Sequence, residues 1–153
     1  MTKKTEIMST KEMIGHLKSI NLFQQVSMDL LEQIATEVKE KPVHMGDLII
    51  NKGEMSRDMF LIVKGRFRVH EGNVLIKELK EGDFFGEIGA LSGSRRVASV
   101  SALSDGLLLR ITNATVYQVM ASDVNLAKEL IKALCKRIEA MAIQAQLDRR
   151  MYL

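Results

Sequence analysis

The sequence predicts an α+β fold, mainly β, in which a barrel of short strands lies between two helical ends. Apolar residues recur at helical spacing over about residues 8–40, and they alternate with polar residues over about residues 43–111. Helical spacing returns over about residues 113–150. With 153 residues, the chain has the length of a single domain, 1–153, that can bury a substantial core.

The N-terminal section predicts two helices. The first carries Met13, Leu17 and Ile20 on one face, because these apolar residues follow one another at helical spacing. The second begins after Ser27, a residue type that caps helices by accepting a backbone hydrogen bond. It ends before Pro42, the only proline of the chain.

The middle section predicts half-buried strands. Phe67 and Val69 alternate with Arg68 and His70, which places the apolar pair on the buried face and the polar pair on the other. Residues 71–73, with glycine in the middle, predict a hairpin turn directly after this strand. Several such strands at regular spacing predict a closed or double-sheet β-barrel.

The C-terminal section predicts a short helix and then a long one. Thr112 is a suitable cap for the short helix, which runs to Met120, and either Asp123 or Asn125 can cap the long one. One apolar stripe follows the long helix, formed by Leu126, Leu130, Leu134, Ile138, Met141 and Ala145.

Composition and charge exclude several classes of protein. The chain has no apolar run of membrane-spanning length, and its first 20 residues lack the apolar core of a signal peptide. Cys135 is the only cysteine, so no internal disulfide forms and a cytoplasmic location is expected. The net charge is +3 and the basic residues are dispersed, which predicts neither nucleic-acid nor membrane binding.

The most informative segment places a carboxylate and a guanidinium nine residues apart. Gly86 and Gly89 flank Glu87, so backbone amides there can approach an anion without a Cβ in the way. Arg96 supplies a permanently charged planar fork that suits phosphate. Glu87 repels phosphate but accepts hydrogen bonds from sugar hydroxyls. Together these groups predict a site for a phosphate joined to a sugar, which is a nucleotide.

The same segment resembles the phosphate-binding cassette of the cyclic nucleotide-binding domain family, whose pattern is F-G-E-L-A-L followed by P-R-A-A. Here the chain reads F-G-E-I-G-A over residues 85–90 and R-R-V-A over residues 95–98. The glycine-punctuated strands upstream also resemble the family, and the match extends from about residue 14 to about 141. The resemblance implies a β jelly roll (a double-stranded β-helix), with a cassette over 85–99, N-terminal helices and a long C-terminal helix.

The resemblance also implies roles for particular residues. It pairs Glu87 with the ribose 2′-hydroxyl and Arg96 with the cyclic phosphate; the alternative for Arg96 is a surface ion pair with Glu87 or Asp83. The ligand-binding set implied in this way is Gly86, Glu87, Ile88, Gly89, Arg96, Val97 and Ala98. Further candidates are Val69, Arg95, Ser99, Arg137 and Met141.

Five positions carry the specificity of this expectation. Val97 replaces the threonine that members favouring cyclic GMP often carry, so cyclic AMP is expected, with cyclic GMP as the second candidate. Arg95 replaces the usual proline and is expected to face solvent. Val69 either lines the wall beneath the purine or packs in the core. The lid over the base would come from Arg137 or Met141 on the long helix, with core or dimer packing as the alternative for Met141.

The function expected from the sequence is that of a non-catalytic cyclic nucleotide sensor. No His-x-His pair marks a metal site, and no nucleophile with a neighbouring base marks an enzyme. The long helix is expected to move when the ligand binds. Its apolar stripe is expected either to pair with its twin in a homodimer or to pack on the chain's own barrel, and an effector protein or domain is the other expected partner. The alternatives are a structural or dimerisation module that binds no ligand, and the regulatory part of a larger transcription regulator, enzyme or channel.

Overall fold

The computed structural model describes residues 8–151, which form helices at both ends and eight strands between them. The N-terminal helices are α1 (Thr10–Ser19) and α2 (Met28–Ala35), with a single 3₁₀ turn over Asn21–Phe23 between them. The C-terminal helices are α4 (Asn113–Ser122) and α5 (Val124–Met151). A short helix, α3 (Glu87–Ser92), interrupts the strands. The strands are β1 (Lys39–Val43), β2 (Leu48–Ile50), β3 (Met59–Lys64), β4 (Phe67–Glu71), β5 (Val74–Leu79), β6 (Phe84–Phe85), β7 (Ser99–Ala102) and β8 (Gly106–Ile111).

The strands form two four-stranded antiparallel sheets, which confirms the predicted jelly roll. One sheet has the order β1-β8-β3-β6 and the other β2-β7-β4-β5. Strands adjacent in sequence mostly lie in different sheets, so the chain crosses repeatedly between the two layers. The hairpin predicted at residues 71–73 joins β4 to β5, and its Gly72 has the positive φ of 55° that the turn requires.

The central strands of the first sheet, β3 and β8, are buried on both faces. Phe60, Ile62 and Leu108 point between the sheets, whereas Leu61 and Leu109 pack against the helices. This explains why β3 reads as an uninterrupted apolar run rather than an alternating one. The helices therefore share a core with the outer face of this sheet.

The N-terminal helices end sooner than the sequence predicts. Ser27 caps α2 as expected, accepting from the Leu30 amide at 3.4 Å, but the helix stops at Ala35. Residues 39–43 form β1, so the predicted helical section over residues 8–40 is too long. Pro42 lies inside this strand, which is tolerated because β1 is at the edge of its sheet.

The C-terminal helices begin where the sequence predicts. Thr112 caps α4 and accepts from the Thr115 amide at 3.3 Å. Of the two caps considered for α5, Asp123 holds the position, because its carboxylate accepts from the Asn125 amide at 2.9 Å. Within residues 8–151, no helix combines the length and the apolar character that a bilayer crossing needs.

His70 is buried, although it lies on the polar face that the alternation predicts. β4 pairs with β7 without a register shift, and the extra residue in the pairing of β4 with β5 is Ile76 of β5. The imidazole is satisfied on both sides, 2.8 Å from the Gly72 carbonyl oxygen and 2.7 Å from Ser101 Oγ. His70 is therefore a structural residue of the hairpin.

Candidate functional site

The cassette lies between β6 and β7 and is built around α3. Gly86 precedes the helix with a φ of 84°, a conformation that suits glycine. A Cβ at this position would lie 2.9 Å from the carbonyl oxygen of Asp58, so glycine is required sterically as well. This turn directs Glu87, the first residue of α3, into the site.

Arg96 is the central cation of the site and is only 5% exposed. Its Nε donates to Ser56 Oγ at 2.9 Å, and its Nη1 donates to the Gly86 carbonyl oxygen at 2.9 Å. Its Nη2 donates to the Asp58 carbonyl oxygen at 2.5 Å. The guanidinium is therefore fixed by three protein oxygens, none of which belongs to a carboxylate. The surface ion pair with Glu87 or Asp83, considered from the sequence, does not form.

Burial lowers the pKa of Arg96, because desolvation disfavours its charged form. The carboxylates of Asp58, Glu54 and Glu87 oppose this effect by attraction. Arginine stays protonated at any physiological pH, so the site contains a permanent buried cation. An anion that enters this region gains a partner whose desolvation cost has already been met by folding.

Gly89 makes room for the Arg96 guanidinium. A Cβ on Gly89 would lie 2.4 Å from Arg96 Nη1 and 3.0 Å from Cζ. Any larger residue would displace the guanidinium in this arrangement. The glycine at this position and the buried arginine seven residues later are thus parts of one packing unit.

Glu87 is the anion of the site and is 7% exposed. Arg137, which lies on α5, donates from Nη1 to its Oε1 and forms an ion pair with it. A buried carboxylate needs such a partner, because an unpaired charge away from water is costly. The structure thus brings Arg137, one of the lid candidates, to the cassette itself.

The other candidates of the cassette differ in accessibility. Val97 is exposed, Ile88 and Ala98 are half-buried, and Ser99 is buried, where its hydroxyl accepts from the Lys52 amide at 3.0 Å. Arg95 is exposed and donates to the Gly53 carbonyl oxygen at 3.0 Å. The side chains of Arg95 and Arg96 therefore have separate environments despite being neighbours in sequence.

The two apolar candidates lie in different surroundings. Val69 is half-buried on β4 and packs against the core between the sheets. Met141 is exposed on α5, so packing in the core of its own chain is excluded for it. Of the two lid candidates on α5, only Arg137 makes a polar contact with the cassette among the described residues.

Three supporting residues were not identified from the sequence. Ser56 and Asp58 hold Arg96 from the loop before β3, and Tyr117 on α4 donates its hydroxyl to the Leu91 carbonyl oxygen of α3. Sequence spacing carries no signal for Ser56 or Asp58, because they are 40 and 38 residues from Arg96. Within the described part of the chain, no three His, Cys, Asp or Glu side chains are grouped so as to hold a metal ion.

Comparison with known proteins identifies the family. The sequence model of the cyclic nucleotide-binding domain family matches residues 40–123, which is more than half of the chain. This chain therefore belongs to that family. A cyclic nucleotide-gated potassium channel of Rhizobium etli is 36% identical over 104 residues, which are 68% of this chain. The chain spans 29% of that channel's length, and 21% of an NTE family protein of Mycobacterium tuberculosis that is 27% identical over 124 residues.

Solved structures support the fold. The catabolite activator protein of Thermus thermophilus has a TM-score of 0.74 at 20% identity, with 82% of this chain and 62% of that one covered. The regulatory domain of Toxoplasma gondii PKA with cAMP has a TM-score of 0.64 at 20% identity, with 72% and 44% covered. At this level of identity, the similarity establishes the jelly-roll architecture.

Proposed function

We propose that this chain is a regulatory sensor that binds cyclic AMP in the cassette. The observation that carries the proposal is that the cassette buries two opposite charges, Glu87 and Arg96, which do not pair with each other. A cyclic nucleotide presents one negative phosphate and one free ribose hydroxyl. A fixed cation and a fixed hydrogen-bond acceptor match these two groups.

Arg96 has donors left for the phosphate. A guanidinium carries five N–H donors, and the three protein oxygens around Arg96 account for three of them. One N–H on each Nη atom is therefore available for the two exocyclic phosphate oxygens. Because the fork is already held in place, little side-chain entropy is lost when it binds the anion.

Cyclic AMP is proposed over cyclic GMP because Val97 is exposed and has no hydroxyl. A side chain at this position that bonds the guanine amino group would need a donor or acceptor, and valine supplies neither. The Toxoplasma regulatory domain, which has a similar fold, was crystallised with cAMP, and this supports the same ligand here. The proposed role is binding without chemistry, so the output is a change of conformation or assembly.

Titration calorimetry with cyclic AMP, cyclic GMP and linear AMP tests this function. We expect binding in the order cyclic AMP, cyclic GMP, AMP, because AMP carries a second phosphate charge and lacks the ring. An absence of heat with both cyclic nucleotides would overturn the proposal and leave a structural module. Tighter binding of cyclic GMP would overturn the assignment of the base while keeping the sensor.

We further propose that α5 carries the output and pairs with a second copy of this chain. Leu126 and Leu130 bury the beginning of the helix in the core of its own chain, and every residue from Cys135 to Met151 is exposed. Along α5, apolar residues form a seven-residue repeat with two positions per repeat, three residues apart. The first position is occupied by Val124, Ile131, Ile138 and Ala145, and the second by Ala127, Leu134 and Met141; all are exposed except Ala127 and Leu134, which are half-buried.

This seven-residue pattern favours a parallel two-stranded coiled coil. β-Branched residues at the first position with Leu or Met at the second are the combination that two-stranded coiled coils prefer. The exposed flanking positions that would face each other across a parallel pair are Arg137 with Ala142, and Gln144 with Arg149. Neither pair opposes two like charges, so an identical helix is a suitable partner.

A further inference from the structure

We infer that Arg137 is a positioning residue for the sugar, and that it orients Glu87 from α5 so that one carboxylate oxygen is presented to the ribose hydroxyl. The inference rests on the proposed function. Its starting point is the hydrogen bond from Arg137 Nη1 to Glu87 Oε1, which joins the long helix to the cassette. Its consequence is that the geometry of the sugar contact depends on where α5 lies.

The two oxygens of the Glu87 carboxylate are not equivalent. Oε1 accepts from Arg137, whereas Oε2 accepts no hydrogen bond from any residue between 8 and 151. No buried side-chain oxygen or nitrogen among the described residues lacks a partner, so Oε2 is in reach of solvent. A ribose hydroxyl that donates to Oε2 does not have to displace Arg137, because a carboxylate accepts through both oxygens.

Arg137 is the only described side chain that orients this carboxylate. Arg96, the other cation of the site, donates to Ser56 and to two carbonyl oxygens rather than to Glu87. Without Arg137, the Glu87 side chain would choose among several rotamers, and a bound sugar would bear the entropy cost of selecting one. With Arg137 in place, folding has already met that cost.

The position of Arg137 on α5 makes this contact sensitive to the helix. It lies seven residues beyond Leu130, the last buried residue of α5, on a part of the helix that is otherwise exposed. Because coupling between sites is reciprocal, a sugar that favours the oriented carboxylate also favours the attached helix. Arg137 also flanks the seam proposed for dimer formation, so one side chain lies beside both the ligand and the interface.

The test compares cyclic AMP with 2′-deoxy cyclic AMP, which lacks the hydroxyl in question. Calorimetry is run on the whole chain, on Arg137→Gln, on Arg137→Lys, and on Lys136→Gln as a matched control. Lys136 is the exposed neighbour of Arg137 and makes no side-chain hydrogen bond or ion pair with the described residues.

We expect Arg137→Gln to weaken the binding of cyclic AMP about tenfold, the scale of one charged hydrogen bond, and the binding of 2′-deoxy cyclic AMP less than about twofold. Arg137→Lys should recover part of the loss, and Lys136→Gln should bind both ligands as the parent does.

The outcomes separate this inference from the proposed function. If the parent chain binds neither ligand, the proposed function fails, and the inference fails with it. If the parent binds but Arg137→Gln weakens both ligands equally, Arg137 acts through its charge or through the base, and the inference alone is wrong. Unchanged or tighter binding of cyclic AMP by Arg137→Gln would also overturn it, the latter by showing that Arg137 competes with the sugar. Circular dichroism of each variant confirms that the fold is retained.

Discussion

Gly89 and Arg96 are sterically matched: a Cβ on the glycine would lie 2.4 Å from Nη1 of the arginine. The guanidinium cannot move away from such a Cβ without breaking hydrogen bonds, because it donates to three protein oxygens at 2.5–2.9 Å. The backbone of α3 therefore sets the position of the cation, and the cation in turn limits what α3 can carry. The size of the residue at position 89 and the position of the Arg96 guanidinium therefore depend on each other.

The first prediction is that Gly89→Ala destabilises the protein. We expect a loss of about 1–3 kcal/mol in the free energy of unfolding, the usual cost of forcing extra volume into a packed region. Urea unfolding measures it. Gly15→Ala is the control, because Gly15 lies within α1 with nothing within 4 Å of a new Cβ. That change should stabilise the protein by about 0.5–1 kcal/mol through helix propensity.

A double-mutant cycle identifies the cause of the destabilisation. In an Arg96→Ala background the guanidinium is gone, so Gly89→Ala should cost clearly less than it does in the parent chain. An equal cost in both backgrounds would show that the alanine clashes with something other than Arg96.

The second prediction concerns the shape of the cation at position 96. Arg96→Lys keeps the charge but loses the planar fork that reaches Ser56, Gly86 and Asp58 simultaneously. We expect cyclic AMP binding to weaken by about 2–3 kcal/mol, the scale of a charge-assisted contact, as measured by calorimetry. Arg66→Lys, an exposed position on the β3–β4 turn, should leave the affinity unchanged. Full affinity in Arg96→Lys would place the phosphate elsewhere.

The barrel and its flanking helices could be predicted because hydrophobic period and capping residues are local signals. Ser27, Thr112 and Asp123 cap the helices that their sequence positions suggest. The burial of His70 could not be predicted, because its ring contacts the Gly72 carbonyl oxygen and Ser101 of β7, and the second of these comes close only when the strands pair. The predicted end of the N-terminal helices was wrong because it relied on Pro42, and proline is equally compatible with an edge strand.

The two charged residues of the candidate site could be suggested from the sequence, but the residues that hold them in place could not. Glu87 and Arg96 are close in sequence, so one motif suggested both. Ser56 and Asp58 become neighbours of Arg96 only when the loop before β3 folds against the cassette. Helical spacing could place Arg137 on a face of α5, but its contact with Glu87 depends on how that helix crosses the barrel.

The third prediction is that Tyr117 links the cassette helix to α4. Its hydroxyl donates to the Leu91 carbonyl oxygen, one of the carbonyls at the end of α3 that have no acceptor role within the helix. Tyr117→Phe should cost about 0.5–1.5 kcal/mol of unfolding free energy, the usual net value of one hydrogen bond. In this variant, amide hydrogen exchange should accelerate over residues 87–92. Unchanged exchange over these residues would show that α3 does not depend on this bond.

The fourth prediction tests the seam on α5. In Ile138→Glu, a charge replaces an apolar residue that is 65% exposed in the single chain and lies in the middle of the proposed interface. Two identical charges would face each other across the pair, so we expect sedimentation velocity at micromolar concentration to report a monomer for this variant and a dimer for the parent chain.

Ile143→Glu is the matched control, because Ile143 is similarly exposed, at 58%, but lies outside the seven-residue pattern. If exposure of apolar surface alone drove association, both variants would dissociate. Dissociation of Ile138→Glu only would tie association to the seam, and a monomeric parent chain would show that α5 has no partner helix of its own kind.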